Sequence, residues 1–193
     1  MIPAEFHGAW VRHGIAVGGA SDSEDMIVWW LQAPSRHADL RTPMTGDGEV
    51  TCFTGTTSWD GYALTWTHDL DLAPSGTADV GTVAWDGADL LESGSCEQDG
   101  RAVPYTERWR RLPGGGPLWA LRSATGRIVR AGKYALTVVD GRESGAEFTA
   151  TAWLLEGDRW EVHRAWPKGA QQAQPPYSLD DLPAGWTIDE SVR

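Results

Sequence analysis

Residues 88–110 read ADLLESGSCEQDGRAVPYTERWR, two runs of strand length on either side of Asp99-Gly100. Asp-Gly supplies the positive φ angles of a two-residue hairpin turn, and such a turn fixes the register of its strands. Leu90 then faces Trp109, Glu92 faces Glu107 and Gly94 faces Tyr105. A second turn at Asp86-Gly87 adds the preceding run, with Val83 facing Leu90 and Gly81 facing Glu92. One face gathers Val83, Leu90, Tyr105 and Trp109 together with Glu92 and Glu107. The other carries Thr82, Ser93, Thr106, Arg108 and Arg110, with Leu91 as an exception. Polar residues dominate the second face, so the first is expected inside. A bulge between Ser95 and Ala102 would break this register.

The same punctuation extends along the chain. Asp60-Gly61, Asp140-Gly141 and Gly157-Asp158 are further turn signals. Strand-like runs lie near 8–17, 25–32, 36–42, 49–57, 62–70, 79–85, 88–95, 102–112, 117–123, 127–138, 147–156 and 159–166. Many short strands at this spacing predict an all-β fold, an antiparallel barrel or sandwich. With 23 Gly and 11 Pro spread through 193 residues, a long helical bundle is excluded. Pro113-Gly114-Gly115-Gly116-Pro117 reads as a flexible break. Beyond Pro167 the alternation dissolves, which assigns 1–166 to an antiparallel barrel and 167–193 to a C-terminal tail on or beside it. Trp186 favours a docked tail over a disordered one.

Composition narrows the function. The chain has 27 acidic against 16 basic side chains, a net charge of −11. Phosphate neutralisation needs clustered Lys and Arg, so nucleic acid is not an expected partner. No basic-then-apolar leader is visible, and no apolar run approaches the about 18 residues of a membrane span. A cytoplasmic location and no membrane partner are expected. Cys52 and Cys96 lack metal-ligand spacing and read as reduced, small apolar residues. The five histidines show neither H-x-H nor H-E-x-x-H, and no phosphate loop, dinucleotide fingerprint or nucleophile elbow occurs. Neither a metal nor a cofactor is expected.

The interior polar residues carry the remaining chemistry. Like charges opposed on neighbouring strands destabilise a sheet. Glu92 and Glu107 therefore imply a protonated carboxyl, a bridging Arg, or a ligand or water between them. Around Asp60-Gly61, Tyr62, Leu64, Trp66 and His68 share a face, with Phe53 opposite His68. His68 is then an interior imidazole, structural or acting as a base. In 36–41, His37, Asp39 and Arg41 share one face. A three-residue turn at Ala33-Pro34-Ser35 would set Trp29 opposite Asp39 and Ile27 opposite Arg41. Both faces are mixed, and if the His37-Asp39-Arg41 face is interior, Arg41 is the residue to balance the two glutamates.

Gly8-Ala9-Trp10 resembles the G-x-W of calycin barrels, which include lipocalins, fatty-acid-binding proteins and nitrobindin-like proteins. The resemblance implies an antiparallel calycin-like (lipocalin-like) β-barrel with a C-terminal extension, covering about residues 5–166 in architecture. It further implies that Trp10 plugs one barrel end under an Arg from a late strand, Arg111 or Arg164. In the nitrobindin-like analogy a haem would be held by His163, but the expectation for this chain stays at no cofactor. The chain departs from a lipocalin in lacking an export signal and in having more strand-like runs than such a barrel needs.

Three functions compete. The first is binding of a mostly apolar, aromatic or cationic small molecule in a barrel pocket. Trp29, Trp66, Trp109 and Tyr105 would form its walls, and Glu92, Glu107, His68, His37, Asp39 and Arg41 would orient a polar group. The second is a cofactor-independent isomerase, cyclase or lyase using Glu92, Glu107 and His68 for proton transfer. The third is an interaction module using sheet edges or the tail.

Overall fold

A computed structural model describes residues 2–46, 48–170 and 173–192. Eight strands run in chain order through the first part: β1 (Gly8–Val17), β2 (Met26–Gln32), β3 (Arg36–Pro43), β4 (Thr51–Trp59), β5 (Ala63–Asp71), β6 (Asp79–Asp86), β7 (Asp89–Gln98) and β8 (Arg101–Arg111). Each pairs antiparallel with the next, and β8 returns to β1, closing an up-and-down barrel. The turn between β7 and β8 has φ of 51° at Asp99 and 72° at Gly100. Glu92 pairs with Glu107, Leu90 with Trp109 and Gly94 with Tyr105, as the two-residue turn dictates.

Three neighbouring registers differ from expectation. Between β6 and β7 the innermost pair is Asp86 with Asp89, so Val83 faces Glu92 rather than Leu90. That is a shift of two residues, and the faces survive it. Between β4 and β5 a bulge after Thr54 sets His68 opposite Gly55, not Phe53, and Tyr62 lies exposed in the turn. Between β2 and β3 the turn has two residues, Pro34 and Ser35, since Ala33 N–H donates to Arg36 O at 2.9 Å. Trp30 therefore pairs with Asp39 and Trp29 with Leu40. A one-residue shift exchanges the faces, so Trp30 enters the barrel and Trp29 leaves it.

The barrel does not extend over 1–166. Once β8 has paired with β1 no barrel edge remains, and the later strands build a second sheet. Its strands are β9 (Leu118–Arg122), β10 (Gly126–Ala131), β11 (Tyr134–Asp140), β12 (Phe148–Glu156), β13 (Arg159–Trp166) and β14 (Thr187–Val192). Their order is β13-β12-β11-β10-β9-β14. The run read as one strand at 127–138 is two, folded back at Gly132, whose φ is 64°. The tail also contributes a strand, β14, paired with β9.

Packing follows from these faces. Trp10, Val28, Trp30, Leu64, Trp66, Leu90 and Trp109 form the barrel's inner core. Outside the barrel, Ala9, Trp29, Leu31, Leu40 and Cys52 pack against Val129, Leu136, Val138, Phe148 and Ala150 of the second sheet. The sheet's other face, with Trp119, Leu121 and Ile128, is covered by Leu179, Leu182 and Trp186 of the tail. Glu190 of β14 reaches the β2–β3 turn, accepting hydrogen bonds from Ser35 N at 3.0 Å, Ser35 Oγ at 2.6 Å and Arg36 N at 2.8 Å. At one barrel end, fully buried Trp10 donates from Nε1 to Phe6 O at 2.9 Å, and Arg111, not Arg164, lies 4.2 Å over its ring. Both cysteines are free thiols. Among the described residues, no helix is long and apolar enough to cross a membrane.

Candidate functional site

The barrel is not packed shut. A cavity of about 630 Å³ opens between its strands, walled by Phe53, Trp30, Trp66 and Trp109 and by Asp39, Arg41, Glu92, Tyr105 and Glu107. Ser75, Thr77, Ala78, Asp79 and Val80 form one side of the mouth, and Ser95, Cys96 and Glu97 another. Trp30 is the centre of the aromatic floor, with ring centroids 5.7 Å from Trp10, 5.7 Å from Trp66 and 5.5 Å from Trp109.

Glu92 and Glu107 are 7% and 3% exposed and stand opposite each other, yet their surroundings differ. Among the described residues Glu92 receives only neutral donors: Tyr105 OH at 3.0 Å on Oε1 and Trp109 Nε1 at 3.1 Å on Oε2. Burial, reinforced by the charge of Glu107, pushes its pKa up to about 8. Two glycines make room for this arrangement. A Cβ on Gly81 would stand 2.6 Å from Glu92 Cγ, and one on Gly94 would stand 2.7 Å from Tyr105 OH.

Glu107 is instead ion-paired. Arg12 Nη1 donates to Glu107 Oε1, and Arg41 Nη1 reaches the same oxygen at 3.3 Å. Arg12 continues to Glu24 at 2.8 Å, and Arg41 Nε donates to Asp39 Oδ1 at 2.9 Å. Burial raises the pKa of Asp39 despite the neighbouring Arg41. Arg12 escaped the sequence reading. Its signal was its position two residues after Trp10 on the inward face, just before the bulge that ends at Gly14.

The remaining expected site residues separate. Trp66, Tyr105, Trp109, Asp39 and Arg41 join the glutamates in the cavity wall. Trp29 does not: it lies outside the barrel, stacked on His163 at 4.5 Å with Tyr134 edge-on at 5.3 Å. His37 is fully buried within the barrel wall, its Nδ1 3.0 Å from Thr57 Oγ1, which donates to Gln32 Oε1 at 2.8 Å. Burial, with nearby His68, pushes its pKa down to about 3, so it is neutral. His68 stacks on Phe53 at 4.1 Å, with Nδ1 2.7 Å from Asp71 and Nε2 3.4 Å from Asp79. Burial opposes its charge, but the two carboxylates outweigh that and lift its pKa to about 9. It is thus a cation held at the rim, not a free base beside the glutamates. Among the described residues, no group of three or more His, Cys, Asp or Glu is placed to hold a metal ion.

A family model described as Protein HRI1 matches residues 9–192. Among solved structures, the crystal structure of an uncharacterized protein, YLR301w from Saccharomyces cerevisiae, is similar with a TM-score of 0.75 at 15% identity. The match covers 96% of this chain and 99% of that one, and at such identity it shows the fold alone. No curated protein matches.

Proposed function

The chain belongs to the HRI1 family, and we propose that its barrel binds a mostly apolar small molecule, aromatic or cationic, in the cavity of β1–β8. The observation that carries this reading is an open space of about 630 Å³ between indole rings, with a buried carboxyl in its wall. That volume is within the range of ligand sites, and a few convergent polar groups on apolar walls are their usual composition. The Gly8-Ala9-Trp10 strand start and the Arg111 guanidinium over Trp10 support a calycin-like (lipocalin-like) reading of the barrel. The two free thiols fit a cytoplasmic setting.

The test is titration with N-phenyl-1-naphthylamine, a neutral aromatic probe. Saturable energy transfer from the tryptophans, with a rise in Tm, is expected. A probe that neither saturates nor shifts Tm would count against a ligand barrel.

The asymmetry of the glutamates favours a second reading, a cofactor-independent isomerase, cyclase or lyase. Glu92, with a pKa of about 8, would donate a proton, and Glu107 would accept one. Glu107→Gln should then abolish turnover of a bound substrate while preserving binding. Retained turnover rejects this role.

A further inference from the structure

We propose that the cavity selects organic cations bearing N–H donors, and that Glu92 is the specificity-determining residue whose missing counter-charge a ligand ammonium group supplies. This rests on the ligand-barrel reading and names the ligand class. Among the described residues, five carboxyl groups, Asp39, Asp79, Glu92, Glu97 and Glu107, line the cavity against one guanidinium, Arg41. Arg41 is already engaged by Asp39 and Glu107. Each of those two carboxylates meets its arginine partners through a single oxygen, leaving Asp39 Oδ2 and Glu107 Oε2 without a donor among the described residues. Acceptors are in excess, so the ligand must bring donors.

Glu92 is the focus. It is 7% exposed and, among the described residues, receives no cationic donor, only the Tyr105 hydroxyl and the Trp109 indole. An ammonium group beside it would form a charge-assisted hydrogen bond in a place shielded from water. The indoles of Trp30, Trp66 and Trp109 also line the cavity, and aromatic rings attract a cation placed over their faces. A fatty acid would instead bring its negative charge into a wall of carboxyl groups. Around Glu92, the charges of Glu107 and Asp39 oppose ionisation and that of Arg41 favours it, while Tyr105 is neutral. With its pKa near 8, Glu92 is mostly protonated at neutral pH. Pairing with a cation must therefore expel close to one proton at pH 7, and affinity for the amine should rise from about pH 6 to 8.

The experiment compares dodecylamine, dodecan-1-ol and dodecanoate below their micellar concentrations, by calorimetry in phosphate and in Tris. The amine is expected to bind at least about ten-fold tighter than the alcohol, with dodecanoate weakest. Its apparent enthalpy should differ between buffers by the proton released. In Glu92→Gln, checked for folding by near-UV circular dichroism, the amine-to-alcohol ratio should fall to near one and the proton release should vanish. Equal binding of amine and alcohol to the unaltered chain, or amine binding without proton release, overturns the proposal and leaves the ligand barrel standing. If none of the three binds and N-phenyl-1-naphthylamine also fails, the ligand-barrel reading falls with it.

Discussion

Glu92 and His68 each give stability a dependence on pH, and both act in the same direction. The pKa of Glu92 is raised from 4.5 to about 8, so the folded chain holds a proton that the unfolded chain releases between those values. Its contribution is fully present below pH 4.5 and is lost as pH rises through about 8. His68 moves from 6.5 to about 9, and its contribution is present below pH 6.5 and lost as pH rises through about 9. The chain should therefore melt at a lower temperature at pH 9 than at pH 6. Glu92→Gln should flatten the part of that decline between pH 5 and 8, as thermal scans across the range would reveal; an unchanged slope contradicts a protonated Glu92. His68→Gln should cost about 1 kcal/mol near pH 6.5, since Asp79 is half exposed and its share is screened. Denaturant titration at pH 6.5 and 9.5 checks this, with the difference between the two proteins shrinking at the higher pH.

At the scale of strands and turns, two glycines should respond unequally to the same change. A Cβ on Gly55 would stand 1.8 Å from the Thr67 carbonyl oxygen, a backbone atom at the β4–β5 bulge. One on Gly81 meets the movable side chain of Glu92. Gly81→Ala should cost about 1–3 kcal/mol by overpacking, and Gly55→Ala more. Equal midpoints in urea for the two variants would contradict this ranking. The turns also explain what the sequence could disclose. Asp99-Gly100 admits one short geometry, so the Glu92–Glu107 pair was legible from residue types alone. Ala33-Pro34-Ser35 contains no such signal, and a turn of two residues instead of three puts Trp30 where Trp29 is expected. Arg12 was hidden for another reason: its partner Glu107 is 95 residues away, beyond any hairpin arithmetic.

Across the whole molecule, the second sheet was not readable as a separate layer. Leu136 and Val138 face the barrel and Ile128 faces the tail, all of them buried, so polar alternation never marks which strands leave the barrel. Besides covering the sheet, the tail supplies Glu190, which holds the β2–β3 turn from the far end of the chain. Glu190→Ala leaves the Ser35 and Arg36 amides short of an acceptor and should cost about 1–3 kcal/mol. Differential scanning calorimetry would check it, and should show one transition, because a single apolar layer joins barrel and sheet. Barrel closure has a kinetic consequence. The Arg12–Glu107 ion pair bridges β1 and β8, so it cannot form until the last barrel strand has docked. Contacts made after the folding transition state govern how fast a protein comes apart, not how fast it assembles. Arg12→Met should therefore steepen loss of the native state, speeding unfolding in stopped-flow traces while leaving the refolding limb nearly in place. Read this way, the buried charges act as a late latch, setting the native lifetime of the vessel that encloses the cavity.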